Sequence, residues 1–279
     1  MKPGTLFVVS TPIGHLGDFS FRGLEVLRRV AVVAAEDTRH TRRLLAHYAV
    51  GCEVVSLHAH SGPVAIERLL DRVEEGADVA YATDAGTPGI SDPGAALAAR
   101  AHERGLTVVP VPGPSAVVTA LAAAGFPADR FVFAGFLPRK GAARSEVLAR
   151  LAAEPWTVVC YEAANRTVAL LRDLAGSCGP DRPAAVAREL TKLHEEVRRG
   201  TVDALRQYYE EHPPRGEVTV VIGGAPRGAA AADDAPDEDA ARELVAALRA
   251  DGNAPGAIAK ELAQRLGISR HDAYRLLNR

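Results

Sequence analysis

The stretch Tyr81-Ala82-Thr83-Asp84-Ala85-Gly86-Thr87-Pro88-Gly89-Ile90-Ser91-Asp92-Pro93-Gly94 joins a strand-like run to a helix-like one. Glycine at 86, 89 and 94 permits backbone conformations and close approaches that a Cβ forbids, while Pro88 and Pro93 fix φ. Pro93 also suits the first turn of the following helix, where its missing N–H costs nothing. With Asp92 as N-cap, the free N–H groups of that helix start suit a carboxylate or phosphate. The alternative is an ordinary strand-to-helix turn. Two aspartates and a near absence of large apolar side chains favour a ligand loop.

The same grammar runs outward in both directions. Leu6 to Val9 reads as a buried strand, running into Ser10-Thr11-Pro12-Ile13-Gly14-His15-Leu16-Gly17-Asp18 and a helix from Ser20 to Arg29. The strand Val30 to Ala35 ends at Glu36-Asp37-Thr38-Arg39-His40-Thr41-Arg42-Arg43, where open α/β sheets bind ligands. Function is favoured for Glu36, Asp37 and Arg39; for Arg42 and Arg43 a capped helix start with solvated arginines stays equally open. After the strand Glu53 to Leu57, His58 and His60 alternate and so point to opposite faces, a poor metal pair; no metal is expected. A helix from Val64 to Glu75, a strand from Asp78 to Ala82, the helix Gly94 to Arg104 and a strand from Thr107 to Val111 complete a mostly parallel, helix-covered sheet.

A second Gly/Pro loop, Pro110 to Ala116, then opens a helix of small residues, Val117 to Ala124, and marks a domain boundary near Pro112. Beyond it the strands Phe131 to Phe133, Trp156 to Tyr161, Ala184 to Ala187 and Glu217 to Ile222 are expected, with a helix near Ser145 to Ala153 and another opened by Glu162 to Arg166. A hairpin between Leu190 and Arg199 makes this sheet mixed. Residues 226–239 are rich in Ala, Asp and Pro, sum to a charge of −4, and read as a disordered linker. Residues 240–279 sum to +3 and read as small helices ending in Gly267-Ile268-Ser269 and an Arg/His/Tyr-bearing helix from Arg270, a helix-turn-helix-like tail or a simple bundle. The expected domains are therefore 1–112, 113–225, the linker 226–239 and the tail 240–279.

Composition sets bounds on function. The 47% apolar fraction is that of a globular protein, and no apolar run approaches the roughly 18 residues of a membrane span. The opening Met1 to Gly4 leads into a strand rather than a signal peptide, so a cytoplasmic, membrane-free protein is expected. Cys52, Cys160 and Cys178 are odd in number without CxxC spacing, which argues against a disulfide framework or zinc knuckle. Neither GxGxxG nor GxxxxGK[ST] follows the first strand, so the common nucleotide fingerprints are missing.

Six stretches in order carry a resemblance: Ser10 to Asp18, Ala35 to Thr41, Asp84 to Gly94, Val111 to Ala116, Gly135 to Pro138 and Ala187 to Lys192. Over about residues 5 to 224 the chain resembles the tetrapyrrole-methylase superfamily, and within it the small-subunit (16S) ribosomal RNA cytidine 2′-O-methyltransferase family. His15 and Ser61 depart from the asparagines usual in that family. The resemblance implies two α/β domains with an S-adenosylmethionine cleft between them, and a homodimer. It implies a cofactor site of Pro12, Asp84, Ala85, Gly86, Thr87, Ile90, Ser115, Ala116, Glu162, Leu190 and Thr219. The activity implied is 2′-O-methylation of a cytidine ribose in the decoding region of 16S rRNA.

A ribose hydroxyl needs a base to accept its proton as the new bond forms. The charged residues inside the matched motifs supply the catalytic candidates: Glu36 or Asp37 as base, Arg39 on a neighbouring phosphate, and Glu189 and Lys192 as a second set. Arg139, Lys140, Arg144 and Arg166 are candidate RNA-backbone contacts, with solvated surface charge as the alternative for each. Two other functions fit parts of the chain. A corrin or porphyrin methylase shares the fold but leaves Glu36 to Thr41 and the basic tail unexplained, and a nucleic-acid-binding regulator would act through residues 240–279.

Overall fold

The computed structural model describes residues 2–58, 60–226, 238–250, 253–265 and 273–274. Residues 1–224 form one compact unit and 225–279 another. The first unit opens with β1 (Thr5–Val9), α1 (Phe21–Arg29), β2 (Val32–Ala35), α2 (Thr38–His47), β3 (Glu53–Ser56), α3 (Gly62–Glu74), β4 (Val79–Ala82), α4 (Gly94–Glu103) and β5 (Thr107–Val111). The strands form a parallel sheet in the order β3-β2-β4-β1-β5. β2 and β4 are buried at every position, as inner strands of a sheet covered on both faces must be. Pro110 sits in β5, an edge strand, where its missing N–H breaks no central ladder.

Two apolar clusters flank this sheet. Phe7, Val9 and Val33 pack with Leu27 of α1 and Leu44 of α2, while Leu6, Val32 and Tyr81 pack with Leu70 of α3 and Leu97 of α4. After β1 and β2 the chain moves toward β3 with its helices on one face; after β3 and β4 it moves back with helices on the other. Right-handed crossovers require that change of face. It opens a crevice beyond the carboxyl ends of β1, β2 and β4.

The second sheet follows α5 (Ala116–Ala124) and comprises β6 (Phe131–Phe136), β7 (Thr157–Ala163), β8 (Pro183–Arg188), β9 (Glu196–Thr201) and β10 (Glu217–Ile222), with α6 (Ala142–Ala153), α7 (Thr167–Cys178) and α8 (Val202–Glu211) between them. Its order is β6-β7-β10-β8-β9, mixed as expected, with β8 and β9 forming the antiparallel hairpin. α8 is an addition to the expected elements, carrying Val202, Leu205 and Tyr209 to the core and capped by Thr201. Three helices cover one face through Leu151, Leu170, Leu174 and Leu205, and α5 covers the other through Val117, Ala120 and Leu121. Leu170 is fully buried between them. Leu170→Ala is expected to cost about 2–5 kcal/mol, measured as a lower denaturant midpoint.

Two of the boundaries that differ from expectation bear on residues weighed for function. β7 runs on to Ala163, followed by a short 3-10 turn, so Glu162 ends a strand instead of opening a helix. The cause is its antiparallel partner β10, whose Glu217 and Val218 pair with Ala163 and Glu162. Likewise β3 stops at Ser56, so His58 and His60 are not on a strand; their rings lie 6.2 Å apart and His58 Nδ1 accepts the His60 N–H.

In the second unit α9 (Glu238–Ala250) and α10 (Pro255–Arg265) pack through Val245, Ile258, Ala259 and Leu262, with Ala273 in the same cluster. The turn expected at 267–269 and most of the helix from Arg270 lie outside the described residues, as does the linker between 227 and 237. Among the described residues no helix is long and apolar enough to cross a membrane.

Candidate active site

Because β1 and β4 are neighbours, the loops that leave their carboxyl ends lie side by side and are stitched together. Thr11 N–H donates to Gly86 O at 2.9 Å and Gly86 N–H to Thr11 O at 3.1 Å. Thr11 Oγ1 donates to Thr83 O, and Thr87 Oγ1 to Pro114 O, each at 3.1 Å. Gly86 has a φ of +82°, and a Cβ there would lie 3.3 Å from Ile13 Cγ2, so both conformation and space call for glycine.

Asp92 shapes the rest of the loop. Its carboxylate accepts the N–H groups of Gly89 at 2.9 Å and Gly94 at 2.6 Å, and the Tyr81 hydroxyl at 3.3 Å. This corrects the expectation of an anion site at the start of α4: Pro93, not Asp92, is the N-cap, and Asp92 already takes the Gly94 N–H. Ser91 is held at a φ of +67°. Of the four non-glycine residues described with positive φ, three (Ser91, Glu189 and Thr191) fall in loops singled out from the sequence. Backbone strain of this kind persists where surroundings over-determine it, and it gathers at functional sites.

A cleft of about 490 Å³ lies between this loop and the second sheet. Its walls include Ile13, Glu36, Asp84, Gly86 and Ile90 on one side and Ala116, Phe136, Tyr161, Glu217 and Thr219 on the other. Such a volume matches ligand clefts of roughly 300–1,000 Å³. Of the expected cofactor residues, Asp84, Ala85, Gly86, Thr87, Ile90, Ala116, Glu162 and Thr219 line it. Leu190 lines a small extension with Ile13 and Ala187. Pro12 is buried and Ser115 caps α5; their neighbours Ile13 and Ala116 take the places on the wall. Phe136, Tyr161 and Glu217 were not named as site residues from the sequence, although Phe136 lies in the matched stretch Gly135 to Pro138. Their signal is faint, because only the β7–β10 register puts Tyr161 opposite Thr219.

That register also decides what Glu162 does. Side chains alternate along a strand, so Glu162 faces away from Tyr161, and its buried carboxylate binds Arg166 Nη2 at 2.9 Å. Arg166 also donates to Leu137 O, while Arg144 is held by Asp173 at 2.6 Å and by Pro138 O. Both arginines thus pin the segment around Pro138 instead of standing free. Arg139 and Lys140 are exposed.

The catalytic candidates separate sharply. Asp37 caps α2 by accepting the Arg39 N–H at 2.8 Å and also binds the Arg39 guanidinium, whose hydrogen bonds hold its carboxyl well below the usual carboxylate range. Glu189 accepts from Lys192 Nζ at 2.9 Å and from the Glu217 N–H at 3.0 Å, and the Lys192 ammonium likewise pulls it down. Lys192 also reaches Glu217 at 3.1 Å. The Glu189–Lys192 loop meets the β1 loop, where His15 N–H donates to Thr191 Oγ1 at 3.0 Å.

Glu36 differs from all of these. It lines the cleft, and among the described residues it makes no hydrogen bond or ion pair. Burial pushes its carboxyl above the usual value, and the nearby charges of Asp84 and Asp92 push the same way. A carboxylate left unpaired and raised in a cleft is what a general base requires. Among the described residues no cluster of three or more His, Cys, Asp or Glu is arranged for a metal.

A parallel sheet with loops joined at its carboxyl edge, facing a mixed sheet across a cleft with acids in its lining, defines a two-sheet α/β protein with a ligand-sized cleft. The family model for tetrapyrrole (corrin/porphyrin) methylases matches residues 5–206, and the chain belongs to that family. Solved structures with the same fold include a uroporphyrin-III-C-methyltransferase from Thermus thermophilus (TM-score 0.55, 24% identity, 80% of this chain and 93% of the other). A cobalt precorrin-4 methyltransferase also matches (TM-score 0.59, 22% identity, 78% of this chain and 94% of the other). Within the family a particular branch is much nearer. A protein of Xylella fastidiosa named ribosomal RNA small subunit methyltransferase I is 44% identical over 98% of both chains. Proteins of the same name from Synechocystis (41%, covering 98% of this chain and 97% of the relative) and Pseudomonas aeruginosa (46%, covering 82% of each) agree with it. The chain is a methyltransferase of that branch.

Proposed function

We propose that this protein transfers the methyl group of S-adenosylmethionine to the 2′-hydroxyl of a cytidine in the decoding region of 16S rRNA. The observation that carries the reading is the charge of the cleft. Glu36, Asp84, Asp92 and Glu217 bring carboxylates to it, with no lysine or arginine among the lining residues. Such a cleft attracts a cation and repels a polyanion. A sulfonium donor fits it, whereas a porphyrinogen bearing several carboxylates does not.

When bound, the donor supplies an activated methyl group on sulfur, so positioning is the protein's larger task. Ile13, Ile90 and Ala116 offer apolar wall, and Gly86 lets the backbone come close. Asp84 and Glu217 supply negative charge beside it. Glu36 accepts the proton of the ribose hydroxyl as the oxygen–carbon bond forms. Asp37 and Arg39 hold the start of α2, and the Glu189–Lys192 pair holds the opposite loop. Arg139 and Lys140 contact the RNA backbone outside the acidic cleft. Residues 1–112 and 113–225 act as the two walls; the protein works as a homodimer in the cytoplasm.

Incubation with labelled S-adenosylmethionine and, in parallel, undermethylated small ribosomal subunits, naked rRNA or a uroporphyrinogen tests this reading. Mass analysis is expected to place one methyl group on a cytidine ribose. Label on the tetrapyrrole and none on RNA would overturn it.

A further inference from the structure

α2 is an unusual helix for its position. It carries Arg39, His40, Arg42, Arg43 and His47 and no carboxylate, and all five side chains are exposed, while Thr41, Leu44 and Leu45 face the core. Arg39 and His40 stand in its first turn and Arg42 and Arg43 directly after, near the positive end of the helix dipole. Cations there oppose the dipole. Stability therefore does not account for them.

With the exception of Arg68, the arginines of α3 and of the end of α4, on the opposite face of the sheet, are treated differently. Arg72 pairs with Glu53, Arg100 with Glu67 and Glu103, and Arg104 with Glu67, Asp71 and Glu74. On α2, Arg39 alone has a carboxylate partner, the N-cap Asp37. Arg42 makes only long contacts of 3.4 Å to Thr38 Oγ1 and Val54 O. Arg43 has no described partner.

Spacing and location add a direction. Arg39, Arg43 and His47 recur every four residues and so form one stripe, each step about 6 Å along the axis. The stripe starts three residues from Glu36, at a cleft whose lining includes acids but no lysine or arginine. A polyanion is thus repelled from the cleft and attracted to its rim.

We propose that the exposed face of α2 is the track along which the RNA phosphate backbone lies as the target ribose reaches Glu36. This rests on the RNA-methylating reading above and adds the surface that reading lacks on the first sheet. Arg43 and Arg42 neutralise phosphates one turn beyond Arg39.

The test is binding of the full chain to naked 16S rRNA across a salt series. For contacts to single-stranded RNA, each phosphate contact removed makes the slope of log K against log salt shallower by about 0.7. Arg43→Gln is expected to show that change and Arg42→Gln/Arg43→Gln about twice it, with a raised KM for RNA, unchanged kcat and unchanged affinity for S-adenosylmethionine. Arg43→Lys should keep the wild-type slope. An unchanged slope in the double variant overturns the proposal, as does a slope lost together with cofactor binding, because the arginines would then serve the fold. If the wild-type chain binds S-adenosylmethionine but neither naked rRNA nor small ribosomal subunits at any salt, the RNA-methylating reading fails as well, which separates the two failures.

Discussion

Glu36→Gln is expected to lower single-turnover methyl transfer by about 10²- to 10⁴-fold, the usual contribution of a positioned general base. Affinity for S-adenosylmethionine should change little, since glutamine keeps the shape and only one of the cleft's acids is lost. Fold stability should not fall. Burial raises the Glu36 carboxyl, so the folded state holds its proton more tightly than the unfolded state. That preference stabilises the protein below the ordinary glutamate value of 4.5 and is lost as pH rises through the folded value. At neutral pH glutamine therefore removes a penalty. The same shift predicts that the rate rises with pH along an acid limb placed above the ordinary glutamate value. Asp84→Asn takes away a neighbouring charge that raises Glu36, so it should move that limb to lower pH. A wild-type rate in Glu36→Gln, or a limb that ignores Asp84, would return the search for the base to Glu189.

Asp92→Ala is expected to have the second large effect, on affinity instead of chemistry. The carboxylate is the single acceptor for the Gly89 and Gly94 N–H groups and for the Tyr81 hydroxyl, and Tyr81 is fully buried. Leaving buried donors unpaired costs about 1–3 kcal/mol each. The cost falls on a loop already strained at Ser91, so the loop should abandon its cleft-forming shape before the sheet unfolds. Since every 1.4 kcal/mol is about tenfold in binding, calorimetry should show cofactor affinity falling at least about tenfold. The melting temperature should also drop. Asp92→Asn keeps one acceptor oxygen and should lie between wild type and alanine. An unchanged affinity in Asp92→Ala would mean that the loop is held by Thr11 and Thr87 alone.

Much of this architecture was legible because it is local. Ser20 before an amphipathic run, fully apolar strands such as Val32–Ala35, and Gly/Pro loops after β1, β4 and β5 state their roles in neighbouring residues. The cleft wall was largely legible too, since Asp84 to Thr87, Ile90 and Ala116 come from two such loops. Tyr161 and Glu217 were not, because the register that sets them opposite each other's strand joins residues more than fifty positions apart, and Phe136 depends on pairing with Tyr161, 25 residues on. Arg144 and Arg166 show the same limit. As sequence they are basic residues near a Gly/Pro loop, and only Asp173 and Glu162, brought against them by packing, turn them into struts.

By itself, the sequence of Tyr81 to Gly94 and its sister loops determined a parallel α/β sheet, a ligand loop at its carboxyl edge and the membership that the comparisons bear out. Periodicity, turn chemistry and motif order are properties of the chain alone. Tertiary structure decided which carboxylate is left to act. Glu36 and Asp37 are adjacent in sequence and are both ordinary carboxylic acids in isolation, yet Asp37 is spent on Arg39 and the α2 cap while Glu36 stands unpaired beside Asp84 and Asp92. The free energy of a charge depends on burial and on its neighbours in space, and for Glu36 those neighbours come from a loop about fifty residues further along the chain.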